Sequence, residues 1–232
     1  RFTDMELCQI DSFYLYNLAS YNRLVNQRNR LLKSLDYDSE IYSTLDIWDE
    51  QLFSYGSKVI ERREGFISQL MEITSLIHSR LTEGKEEIKL SYEPNVSIEA
   101  YKEGLKKSRE KDLKLRQTSV GPHRDDFSYL ANEVDLRRYG SQGQQRTAAL
   151  SLKLSEIELV KRITKDSPVL LLDDVLSELD GSRQESLLKE INNIQTVITG
   201  TGIEDFIKNN LSIGKKYFVK EGTIKEIPLD ME

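Results

Sequence analysis

Pro168-Val-Leu-Leu-Leu-Asp173-Asp174-Val-Leu-Ser177-Glu-Leu-Asp180 decides the fold. The wholly apolar run Val169 to Leu172 reads as a strand covered on both faces, as in a parallel sheet. Two acids at its tip place carboxylates at the C-terminal edge, where open α/β sheets bind their ligands. Asp173 is placed to serve a hard cation such as Mg²⁺, usually through a water, because that ion takes one or two carboxylates plus waters and phosphate oxygens. Asp174, one residue on, is placed to orient or deprotonate a water attacking a γ-phosphate. On these two acids alone, a plain strand end before a polar turn explains the stretch as well as a nucleotide site does.

The surroundings extend the pattern. Ser182 to Asn193 reads as a helix and Thr196 to Thr199 as a second buried strand, so strand, helix and strand form a right-handed parallel crossover. Upstream, a helix is predicted over Gln142 to Ile163, opened by Ser141-Gln142-Gly143-Gln144. A Ser and a Gly at a helix start present free N–H groups and a positive dipole end to an anion. In isolation, a Ser N-cap with polar neighbours is the simpler account. Glu87 to Tyr92 alternates like a strand stopped by Pro94, and a charged helix spans Ile98 to Gln117. Phe127 to Leu130 and Glu133 to Tyr139 read as two strands around an Ala131-Asn132 turn.

The first third has helical grammar. Tyr14, Leu18, Tyr21, Val25, Leu32 and Leu35 form one apolar stripe over about residues 12 to 35, with Arg28 in the missing place. After a polar break at Asp36 to Tyr42, Ser43 and Asp46 make a weak capping-box start. Leu45, Trp48, Leu52, Tyr55, Val59, Phe66, Leu70, Ile73, Ile77 and Leu81 then continue the rhythm. At 1.5 Å per residue this second helix is about 55 Å long. Gly56 and Gly65 each weaken it by roughly 1 kcal/mol. Two long helices with a short connection pack antiparallel. The division expected is a helical arm over 1–85 and an α/β lobe over 86–232. On its own the arm reads as structural.

Composition narrows the class. The lone Cys8 excludes an intramolecular disulfide, and no signal peptide or membrane span is visible, so a reducing cytoplasmic setting is expected. A net charge of −6 argues against whole-chain attraction to nucleic acid, so a DNA surface needs local clustering. Lys102, Lys106, Lys107, Arg109, Lys111, Lys114 and Arg116 crowd one predicted helix, and Arg137-Arg138 can extend that patch. A solvated helix face accounts for such a run too. With no interleaved aromatics, duplex backbone contact is favoured over single-strand reading, with Lys106, Lys107 and Arg109 as the candidates.

The motifs taken together resemble those of ABC-type ATPases. LLLDDVLSELD is similar to their Walker B strand plus D-loop, often LLLDEPTSALD, with Asp174 where many members carry Glu. Ser141, Gly143 and Gln144 match the signature SGGQ, Gln142 standing for its first Gly. Thr118-Ser-Val-Gly121-Pro122-His123-Arg124-Asp125-Asp126-Phe127, followed by SQGQQRT and LLLDDVLSELD, resembles the RecF family of bacterial recombination mediators. The start (Arg1-Phe-Thr-Asp4, then Gln27-Arg28-Asn29-Arg30-Leu31-Leu32-Lys33) is similar to that family's arm, so the resemblance covers nearly the whole chain.

The resemblance implies a fold, α/β, in which the C-terminal lobe of an ABC-type head carries an all-α arm. It also implies ATP with Mg²⁺ and an ATP-dependent homodimer with two nucleotides sandwiched between heads. DNA gripped at gaps, and work with RecR and RecO to load RecA, follow from it as well. In such an arrangement Ser141, Gln142, Gly143 and Gln144 close over the γ-phosphate held by the other head, Ser177 and Asp180 belong to the D-loop, Asp173 serves the metal and Asp174 the water. Where ABC proteins often place a His, this chain reads Val197-Ile-Thr-Gly-Thr201-Gly, so Thr199 or Thr201 is the candidate γ-phosphate contact. No GxxxxGK[ST] occurs, and Arg1 rather than Met opens the chain. Both predict a piece of a longer protein that, alone, neither binds ATP tightly nor hydrolyses it. A head of the SMC or Rad50 group and a non-enzymatic interaction module are the alternatives. The short arm and GPHRDD speak against the first. The role of Arg124 stays open between contacting nucleotide or DNA and pairing with Asp125 or Asp126.

Overall fold

The structure, a computed structural model, describes residues 2–34, 40–201 and 213–228. Helices α1 (Phe2–Ile10), α2 (Ser12–Ser34) and α3 (Glu40–Leu81) come first. At 42 residues α3 is about 63 Å long. Leu35 and residues 36–39 of the predicted break lie outside the described residues. Helix α3 already runs through Ser43, so Ser43 and Asp46 do not start it; Asp46 instead accepts from Arg109 at 2.6 Å. The stripe is buried as read: Tyr14, Tyr21, Val25 and Leu32 on α2 face Leu45, Leu52 and Val59 on α3. Tyr14 meets Arg63, Arg28 pairs with Asp49, and Leu32 packs with Leu45. As one number rises the other falls, so α2 and α3 are antiparallel.

Strand β1 (Ile88–Glu93) pairs antiparallel with β2 (Asp126–Ala131), and β2 with β3 (Val134–Asp135). Between β1 and β2 lies α4 (Ile98–Leu115), capped by Ser97 and closed by Arg116 at φ 53°. The predicted second strand of the 127–139 hairpin is mostly helix. Asn132 and Glu133 take left-handed φ values of 47° and 62°, as a two-residue hairpin turn demands. Asp135 then accepts from the backbone N–H groups of Arg137 and Arg138 and caps α5 (Leu136–Tyr139), which ends the pairing after two residues.

Helix α6 (Gln142–Thr164), strand β4 (Leu170–Asp173), helix α7 (Gly181–Ile191) and strand β5 (Thr196–Thr199) follow, with β4 and β5 parallel. The strands are not covered on both faces as expected. Leu170 and Leu172 are buried, whereas Leu171 is 71% and Val197 51% exposed. Among the described residues the sheet has only these two strands and one packed face. A hairpin of β6 (Lys216–Lys220) and β7 (Thr223–Ile227), for which no expectation is given above, completes the described chain.

The main core does not break at residue 85. One apolar cluster joins Leu7, Tyr14, Val59 and Phe66 to Leu81 of the first three helices with Ile88, Tyr129, Leu154, Leu172 and Leu187 of the lobe. A second joins Tyr21, Leu52 and Ile60 to Tyr101 and Leu105, so α4 packs on the arm.

Candidate nucleotide site and arm joint

Ser141 caps α6 in a reciprocal capping box. Its hydroxyl accepts from the Gln144 N–H at 3.2 Å, and Gln144 Oε1 accepts from the Ser141 N–H at 3.0 Å. Ser141 and Gln142 are exposed and Gly143 and Gln144 half-buried, so this helix start faces solvent. A side chain at Gly143 would meet Arg183 Nη1 at 3.1 Å. Arg183 belongs to α7 and pairs with Asp180 at 3.3 Å, while Asp180 accepts from the Arg183 N–H at 3.1 Å and caps that helix. Gly143 and Asp180 are thus brought to one side of the lobe by α6 and α7.

Asp173 and Asp174 form a second group, at the C-terminal tip of β4. Register places Thr199 beside Asp173, and the Thr199 hydroxyl donates to Asp173 Oδ1. The Asp174 N–H donates to the Thr199 carbonyl at 3.1 Å, its φ is 55°, and Ser177 Oγ donates to the Asp174 carbonyl at 2.8 Å. Left-handed φ is strained for most residues but tolerated by Asp. It turns the chain sharply, so that both exposed carboxylates leave the sheet at its rim. Thr199 therefore holds the carboxylate in place, and Thr201, also exposed, lies just beyond the strand. Between them, Ser141–Gln144 and Asp173–Asp174 share no hydrogen bond.

No group of three or more His, Cys, Asp or Glu side chains gathers as a metal cage among the described residues. A pair of rim carboxylates fits Mg²⁺, which keeps waters and phosphate oxygens, better than a transition metal.

GPHRDD is a joint between arm and lobe. Arg63 of α3 donates to the Pro122 carbonyl at 2.6 Å and pairs with Asp125 at 2.9 Å and Asp4 at 2.8 Å. Tyr92 OH and the Asn95 N–H also donate to Asp125. His123 Nδ1 lies 2.6 Å from Tyr21 OH and Nε2 3.0 Å from the Thr118 carbonyl. Burial pushes its pKa below the ordinary value. Arg124 donates to the Thr118 carbonyl at 3.3 Å, and Asp126 pairs with Arg137, so Arg124 bonds neither neighbouring acid.

Arg28, which fills the missing place in the stripe, is fully buried. Its Nη1 pairs with Asp112 at 2.7 Å and donates to Thr118 Oγ1 at 3.0 Å; its Nε pairs with Asp49 at 3.1 Å. A buried cation survives only with such partners. Arg109, expected at a DNA surface, is turned inward. It is buried and paired with Asp46 at 2.6 Å and Asp49 at 2.7 Å. Burial opposes its charge, but the bonds to Asp46 and Asp49 prevail and its pKa rises. Lys106, Lys107, Lys111 and Lys114 on α4 are exposed. Among the described residues no helix is long and apolar enough to cross a membrane.

No protein-family model matches the chain. The DNA replication and repair protein RecF of Lachnoclostridium phytofermentans is 52% identical over 226 residues, spanning 97% of this chain and 63% of that protein. RecF of Lachnospira eligens is 54% identical over 226 residues, spanning 97% and 62%. The solved structure of the recombination mediator RecF with ATP, in the RecFOR pathway, superposes with a TM-score of 0.83 at 36% identity, covering 98% of this chain and 62% of that one. The chain thus spans less than two thirds of the length of the relatives it matches.

Proposed function

Because the chain belongs to the RecF family of DNA replication and repair proteins, we propose that it supplies one side of a composite ATP site in a recombination mediator. The observation that carries this is the separation of its two polar groups. Ser141–Gln144 form a capped helix start, exposed at Ser141 and Gln142, that shares no hydrogen bond with Asp173–Asp174. A helix start so placed is suited to a triphosphate held by another head. Asp173, steadied by Thr199, would hold Mg²⁺ on the chain's own side, and the ion would supply neutralisation of phosphate charge there. Asp174 orients the attacking water, Thr201 contacts the γ-phosphate, and Ser177 and Asp180 set the D-loop between the heads. ATP thereby joins two copies, and hydrolysis releases them.

In this reading the whole protein grips DNA at gaps and double-strand to single-strand junctions and works with RecR and RecO to load RecA. The DNA face is the outer side of α4, with Lys106 and Lys107 joined by Lys111 and Lys114 on duplex phosphates. Changing Lys106, Lys107 and Lys111 together to Glu is expected to weaken DNA binding and flatten its salt dependence, by about one unit of log–log slope per lost contact.

The deciding experiment joins this chain to the preceding segment of a RecF relative and follows its mass by sedimentation velocity as ATP is added. A dimer that forms only with ATP is expected. Ser141→Arg is expected to abolish it while leaving ATP binding intact. Asp174→Asn is expected to keep the dimer and slow hydrolysis by about 10²-fold or more. A protein that stays monomeric at saturating ATP would overturn the proposal in favour of a non-enzymatic interaction module.

A further inference from the structure

We propose that Glu86, in the short segment between the long arm helix and β1, is a positioning residue for the Ser141–Gln144 helix start and ties that start to the arm. This rests on the composite-site reading. Glu86 Oε1 accepts from Gln144 Nε2 at 3.1 Å, and its Oε2 lies 3.1 Å from His78 Nε2. His78 is fully buried on the last turn of α3, and its Nδ1 lies 2.8 Å from Ser151 Oγ on α6. Gln144, Glu86, His78 and Ser151 therefore close a loop that starts and ends on α6 and passes through α3.

The chemistry of the carboxylate gives Glu86 its hold. An ionised carboxylate only accepts, so it fixes which end of the Gln144 amide faces it: the NH₂. The amide oxygen is then turned to the Ser141 N–H, which is the half of the capping box that Gln144 supplies. Without Glu86 only the Ser141 N–H holds the amide in that orientation, and that half of the box is weakened. Glu86 thus orients Gln144, and Gln144 holds Ser141.

The same segment also grips the other element facing the second head. Glu83 accepts from Ser182 Oγ in the first turn of α7, and Arg80 pairs with Glu190 at 3.1 Å. The end of α3 is therefore bonded to both α6 and α7. Titratable and charged groups facing His78 are Glu86 from the segment before β1 and Arg183 from α7; burial pushes the ring's pKa down, and Glu86 opposes that.

The test uses the full-length protein. In Glu86→Ala the ATP-dependent dimer is expected to weaken about tenfold or more, the usual consequence of losing a hydrogen bond to a charged group. ATP affinity of the monomer is expected to stay unchanged, a split that general unfolding would not produce. Glu86→Gln, which can still accept from Gln144, is expected to recover to within about threefold. In a Gln144→Ala background, Glu86→Ala is expected to add nothing further. Amide exchange at Ser141 to Gln145 in nucleotide-free protein is the second readout, rising about tenfold in Glu86→Ala. Unchanged exchange, or equal losses in the Ala and Gln variants, would overturn the positioning role. A wild type that stays monomeric with ATP would overturn the composite-site reading, and the coupling with it.

Discussion

His123 is held in one tautomer by its surroundings. The Thr118 carbonyl beside Nε2 can only accept, so that nitrogen carries the proton, and Nδ1 accepts from Tyr21 OH. His78 is likewise buried, and burial lowers the pKa of both rings from the ordinary 6.5. The sign follows: below 6.5 the unfolded chain binds protons that the folded one refuses. Stability is therefore full above about pH 6.5, declines as pH falls through that value, and levels off once the folded rings protonate. Thermal melts between about pH 5 and 7 are expected to show a slope of at most about 1.4 kcal/mol per pH unit from each ring. His123→Gln should remove its share of that slope; parallel curves for variant and wild type would refute it. In the sequence, His123 stands between Pro122 and Arg124 with no second His or Cys nearby, which argues against a metal site. Its real partners come from residues 21 and 118, and no spacing rule links those positions.

Within an element, the two glycines of α3 look alike in sequence and differ in the fold. A Cβ on Gly56 would lie 2.6 Å from Tyr101 Cε1, because α4 crosses α3 there. At Gly65 nothing stands within 4 Å. Helix propensity favours Ala at both sites by about 1 kcal/mol. Gly65→Ala is accordingly expected to stabilise by up to about 1 kcal/mol. Gly56→Ala is expected to destabilise by about 1–3 kcal/mol through overpacking against Tyr101. Denaturant melts of the pair decide it, and an equal gain in both would show that α4 yields at no cost. Periodicity located the start of α2 and the end of α3, since an apolar stripe is a local property, but α3 begins at Glu40, ahead of the expected Ser43. The hairpin at 127–139 was half misread because Asp135, a capping residue, outweighed the strand pattern that follows it.

Over the whole molecule, the parallel pair β4 and β5 exposes a continuous apolar strip. Leu171 and Val197 are register partners on the open face, and both are more than half exposed. Such a face, with strand edges unpaired among the described residues, promotes association. The 232-residue chain is expected to self-associate at tens of micromolar, on the order usual for exposed sheet edges. Leu171→Lys with Val197→Lys should shift it to monomer in sedimentation without lowering its melting temperature. Association unchanged by that double substitution would place the contact elsewhere, the exposed β6–β7 hairpin being the next candidate.

What the amino-acid order determined by itself was everything carried by neighbours along the chain. The helical stripes, the capped start at Ser141, the paired acids ending a strand and the family motifs are all short-range patterns. Only the tertiary structure decided which charges face inward. Arg28 fills an apolar place in the α2 stripe and Arg109 reads like any basic residue on a helix, yet both are committed to Asp49, with Asp112 and Asp46 completing the set. It likewise decided that Asp125 is the arm's anchor and that Glu86 meets Gln144. The physical reason is that a buried ion pair or an oriented amide depends on partners brought together from distant segments, and no local period encodes that meeting.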